Sequence, residues 1–140
     1  MSGFRGGYVG KILWIDLTRR KCLSQSLPAE LAYNYVGGYG IGGRILYDEV
    51  PPWVSAFDPE NLLIFCTGPV NGTPTPVAGR HTVVAKSPLT GFFGDANAGG
   101  YWGAELKAAG YDLVVISGRA GTVVELSTTL DEYYEARGWD

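Results

Sequence analysis

The chain's 140 residues suffice for one ordinary domain, and 46% hydrophobic against 18% charged residues excludes a disordered tail. A formal net charge of -3 argues against a nucleic-acid binder that neutralises phosphates with a basic excess. Two cysteines, Cys22 and Cys66, and one histidine, His81, exclude a disulfide scaffold and any four-cysteine zinc or iron–sulfur site within the chain.

Glycine is abundant, at 21 residues, and lacks the three-residue period of collagen. Its clusters mark places where the backbone takes special conformations or approaches something closely. No apolar run reaches the ~18 residues that a membrane helix needs. The apolar stretch near the N-terminus is interrupted by Asp16 too early for a secretory signal, so the cytoplasm is the expected compartment.

In chain order, residues 11–17 (KILWIDL) and 21–27 (KCLSQSL) read as a hairpin around a polar turn. Residues 28–38 read as a helix opened by Pro28 and closed by Gly37 and Gly38. A second helix over 42–50 is stopped by Pro51 and Pro52. A loop over 53–61 leads to LLIFCT (62–67), a continuous apolar run expected of a strand covered on both faces. The glycine- and proline-rich stretch 68–79 is irregular, 80–87 is a strand, and 88–100 reads as a second glycine-rich connection. A helix over 101–110 ends at Gly110. Strands over 111–118 and 122–127 follow, joined by a turn, and then a short helix over 131–139. Hairpins mixed with isolated helices favour α+β over a doubly wound sheet.

Gly38 to Gly43 spell GxGxxG, but no strand precedes them and no acidic residue falls at the required distance. A tight helix–helix corner is the better reading. The stretch Asp95 to Gly100 precedes a helix and can form an anion site for phosphate from free backbone N–H groups. The alternative is that Asn97 is an ordinary helix cap. Arg80 and Lys86 share strand parity and can face one side, with His81 on the other. That basic face, flanked by glycine-rich loops, suggests a phosphate-bearing ligand, against a solvated edge strand as the bland account. His81 reads as structural. Trp14, Trp53, Trp102 and Trp139 suit core or rim packing. Asp58, Glu60 and Asp95 lack a visible partner for acid–base work.

The segments GYVGKILWIDLT, VGGYGIGGRILYDEVPP and 57–120 contain the blocks FDPENLLIFCTGPVNGT, GR, KSPLTG and NAGGYWGAELKAAGYD in order. Over roughly residues 6–126 they resemble the N-terminal domain of the tungsten-containing aldehyde ferredoxin oxidoreductase family. The final LDEYYEARGWD resembles a segment near the C-terminus of full-length members.

The resemblance implies an α+β fold, a β-rich layered sandwich of sheets flanked by short helices. Residues 1–127 would form the pterin-binding domain and 128–140 a short C-terminal helical segment. It implies a tungsten or molybdenum bis-pterin, with the metal held by pterin sulfurs, in an enzyme oxidising aldehydes to carboxylic acids. Arg80 would lie between pterin and cluster. Asn97 would offer its backbone carbonyl to a magnesium ion bridging the pterin phosphates, and Gly99 would touch the cofactor. Ala98 and Gly100 complete that turn, and Lys86 is a further candidate. A 4Fe-4S cluster would need ligands from elsewhere, because the family's cluster cysteines are absent from this sequence. A partner subunit or second copy could complete the site, and a ferredoxin-type acceptor would take the electrons. The rival reading is a non-catalytic or truncated pterin- or phosphate-binding or assembly module.

Overall fold

In the computed structural model, which describes residues 6–123, three helices surround one six-stranded mixed sheet. The strands are β1 (Lys11–Asp16), β2 (Lys21–Ser26), β3 (Leu63–Cys66), β4 (His81–Lys86), β5 (Phe93–Ala98) and β6 (Leu113–Ser117). The helices are α1 (Ala29–Tyr35), α2 (Tyr39–Glu49) and α3 (Trp102–Ala108). The strand order is β2-β1-β6-β3-β4-β5. Only β1 and β6 run parallel; every other neighbouring pair is antiparallel.

Both faces of the central strands are covered, which explains their uninterrupted apolar runs. Ile12, Ile64, Cys66, Val84, Leu113 and Val115 pack with Ala32 of α1 and Ile41, Ile45 and Leu46 of α2. Leu13, Ile15 and Val114 form a second cluster on the opposite face with Phe65 and with Leu106 of α3. The α+β expectation therefore holds, with helices on both sides of the sheet.

Of the GxGxxG segment, Gly38 is the N-cap of α2 and Gly40, Gly42 and Gly43 lie inside it, so the helix begins at Tyr39 instead of residue 42. Their role is close packing. A Cβ on Gly40 would overlap the Tyr35 carbonyl at the α1–α2 corner. One on Gly42 would lie 2.6 Å from Cys66 Sγ and 3.0 Å from Val84 Cγ2. One on Gly43 would sit 3.1 Å from the Phe93 ring. The helix thus closes a corner and also presses onto β3, β4 and β5.

The expected connection over 88–100 is a correction: it contains β5. Gly94, Asp95 and Asn97 have little strand preference, yet β4 templates them in register from Lys86↔Phe93 to His81↔Ala98. The true connection is short and closed by Ser87 N–H to Phe92 O at 2.7 Å and Gly91 N–H to Ser87 O at 2.8 Å. The strand expected at 122–127, the helix at 131–139 and Trp139 lie outside the described residues, apart from residues 122 and 123, which form no strand.

A buried ion pair joins the segment that enters β1 to the connection between α3 and β6. Lys107 of α3 bonds to Asp112, and its ammonium also donates to Gly7 O at 2.7 Å. The Asp112 carboxylate accepts the N–H groups of Val9 (3.1 Å), Gly10 (2.6 Å) and Lys11 (3.3 Å). These bonds clamp the entry to β1 against the entry to β6.

Candidate functional site

The antiparallel pairing of β4 with β5 sets the start of one strand beside the end of the other. His81 opposes Ala98, so Arg80 and the Asn97–Gly100 turn come together. The approach is close: a Cβ on Gly79 would lie 2.7 Å from Gly100 O. Gly100 takes φ +104°, a left-handed conformation that glycine adopts without strain.

Arg80 and all four turn residues are exposed. Among the described residues the ion pairs are Arg19–Asp16, Arg44–Asp48 and Lys107–Asp112, and none involves Arg80. Nothing described lies within 4 Å of a Cβ built on Gly99 or Gly100, so the outer side of the turn is open.

The Asn97 side chain is engaged along the sheet. Its Oδ1 accepts the Thr82 hydroxyl at 2.9 Å, and its Nδ2 reaches the Asp95 carboxylate at 3.5 Å. Asn97 is therefore not a helix cap. The N-cap of α3 is Tyr101, with no side-chain capping bond. Of the two readings left open by the sequence, the cap falls away.

Lys86 stands apart from these residues, as a correction to its candidacy. It occupies the far end of β4, and its ammonium donates to Pro52 O at 2.7 Å and Val54 O at 2.6 Å. It ties down the 52–54 loop. Shared parity gave it a common face with Arg80 on paper, but Arg80 precedes the strand, and parity carries no information about separation along it.

His81 faces the side covered by α3. Its ring lies 4.6 Å from that of Trp102, which in turn lies 5.3 Å from Phe65. His81 Nδ1 is buried without a partner, and burial lowers the imidazole pKa from its ordinary value. This is packing, as read from the sequence. Trp53 is exposed, Trp14 borders the core, and Asp58 accepts the Ser55 N–H at 2.7 Å.

One residue at the site was not singled out from the sequence. Asn71 is buried, with 4% exposure. Its Oδ1 accepts the Gly68 N–H at 2.7 Å, and its Nδ2 donates to Ala78 O at 2.7 Å and Arg80 O at 2.9 Å. The only trace in the sequence is an Asn-Gly pair inside an irregular stretch, which signals a turn and nothing more.

The sequence profile of the aldehyde ferredoxin oxidoreductase N-terminal domain matches residues 12–133. The chain belongs to this family. It is 48% identical over 120 residues to a tungsten-containing aldehyde ferredoxin oxidoreductase of Pyrococcus abyssi, covering 86% of this chain and 20% of that protein. The enzyme of the same name from Pyrococcus furiosus is 42% identical over 131 residues, covering 94% of this chain and 22% of the relative. A WOR-like subunit of an aliphatic sulfonate oxidoreductase from the same organism is 37% identical over 122 residues, 85% of this chain and 19% of the subunit.

Among solved structures, the active-site complex BamBC of benzoyl coenzyme A reductase, in complex with 1,5-dienoyl-CoA, superposes with a TM-score of 0.84 and 30% identity. The match covers 97% of this chain and 24% of that one. The chain thus spans about a fifth of the length of its curated aldehyde ferredoxin oxidoreductase relatives. It corresponds to the family's N-terminal domain. Among the described residues, no helix is long and apolar enough to cross a membrane.

Proposed function

We propose that this aldehyde ferredoxin oxidoreductase-type chain is the part that binds a tungsten or molybdenum bis-pterin cofactor in a redox enzyme oxidising aldehydes. The observation that carries the reading is the meeting of Arg80, exposed and without a carboxylate partner among the described residues, with the open Asn97–Gly100 turn.

These residues fit an anionic, phosphate-bearing group. Arg80 supplies a guanidinium whose charge no acid among the described residues neutralises, and its forked donors suit phosphate oxygens. Ala98, Gly99 and Gly100 leave the backbone approachable, because two of them carry no side chain and the third carries a methyl. Asn97, whose side chain is bonded to Thr82, would offer its backbone carbonyl to a magnesium ion.

When bound, the metal–pterin group supplies the two-electron oxidation of an aldehyde to a carboxylic acid. The chain's own residues hold the group and orient it. Two cysteines cannot supply the four ligands of a 4Fe-4S cluster, so a cluster would take its ligands from outside this sequence, and a ferredoxin-type acceptor would take the electrons.

The test is elemental analysis and pterin fluorescence on the chain, with any co-purifying partner, expressed with tungstate and molybdate. Pterin together with either metal is expected. A preparation carrying neither overturns the reading. Arg80→Ala is expected to weaken pterin retention about tenfold, as loss of one charge-assisted bond predicts.

A further inference from the structure

We infer that Asn71 is the positioning residue of this site. The inference rests on the cofactor-binding reading and deepens it. The stretch 68–80 is long and irregular, and Arg80 at its end has no ion-pair partner among the described residues to fix it. Its backbone must be held some other way if the guanidinium is to meet a ligand in one place.

Asn71 does this from beneath. Its amide donates to the carbonyls of both Ala78 and Arg80, so the backbone is pinned on each side of Gly79. Its own oxygen takes the Gly68 N–H, which closes the loop at its first residue. Both ends of the amide are thereby satisfied in a buried position.

The same side chain abuts the other half of the cradle. A Cβ on Gly103 would lie 2.9 Å from Asn71 Nδ2, so the first turn of α3 rests directly on it. Gly79, between the two pinned carbonyls, lies against Gly100. Asn71 therefore sets the spacing between Arg80 and the 97–100 turn without touching a ligand itself.

Neither serine nor aspartate does this equally. Serine is too short to bridge Gly68, Ala78 and Arg80. Aspartate keeps the acceptor for Gly68 but turns a second oxygen on two carbonyls.

The experiment is a double-mutant cycle read as the dissociation constant for inorganic pyrophosphate with magnesium, measured by titration calorimetry on the full 140-residue chain. Asn71→Ser is expected to weaken binding about fivefold in the native background and by less than about 1.5-fold on top of Arg80→Ala. A residue that supports the fold alone gives equal factors in both backgrounds. Equal factors, or no effect of Asn71→Ser, overturn the inference and leave the site reading intact. Should the native chain bind no pyrophosphate, or Arg80→Ala leave binding unchanged, the site reading falls and the inference with it. If Asn71→Ser loses the native circular dichroism, the cycle is run with Asn71→Asp, and the same outcomes decide.

Discussion

Lys107→Met tests the clamp between the two ends of the fold. Asp112 is 1% exposed, and Lys107 is its only cationic partner among the described residues. Removing the ammonium leaves a buried carboxylate uncompensated and the Gly7 carbonyl without its donor. The expected cost is about 3–5 kcal/mol, a large share of the ~5–15 kcal/mol that holds an ordinary domain folded.

In many proteins a buried pair can be exchanged for apolar residues at no loss. Here it cannot, because the carboxylate also serves the N–H groups of Val9, Gly10 and Lys11. The double variant Lys107→Met/Asp112→Leu strands all three donors, each at about 1–3 kcal/mol, so no recovery is expected. Urea unfolding followed by tryptophan fluorescence and circular dichroism gives both values. A single variant within about 0.5 kcal/mol of the native chain, or a double variant restored to native stability, would refute the reasoning.

Burial pushes the Cys66 thiol up to about 12, whereas Cys22 is exposed. Alkylation near pH 8.5, where an ordinary thiol is half ionised, is expected to modify one thiol in the native chain and two in denaturant, by mass spectrometry. Burial also lowers the His81 pKa. Above its ordinary value of 6.5 both states are neutral and the contribution is complete; as pH falls below it, the unfolded chain takes a proton that the folded chain resists. Native stability is therefore expected to fall faster on acidification than that of His81→Gln, compared by urea midpoints, and parallel profiles would count against this. Gly42→Ala places a methyl 2.6 Å from Cys66 Sγ and is expected to cost about 1–3 kcal/mol, partly regained with Cys66→Ala, as read by thermal unfolding.

The central strands were legible because their environment is written in their composition. A strand covered on both faces must be apolar throughout, and ILWI, LIFC and LVVI are. β5 was not legible, because an edge strand exposed along most of its length needs no apolar pattern and takes its geometry from β4. The turn Asn97–Gly100 and Arg80 stood out because a basic residue and paired glycines carry a local signal. Asn71 and the Lys107–Asp112 clamp carried none. Their partners are backbone groups, in the clamp's case about 100 residues away in sequence, and nothing local announces such a bond.

The place of β6 has a consequence for synthesis. The strand sits between β1 and β3, yet it is the last one described. Without it the sheet is two separate pieces, a hairpin and a three-stranded meander against which α2 packs, each with an unpaired strand edge where β6 belongs. A nascent chain on the ribosome must carry both pieces until Ser117 has left the exit tunnel, and only then can they be zipped together. Assembly is therefore a late and abrupt event, and a stall before that point releases a sticky polypeptide, a client for chaperones.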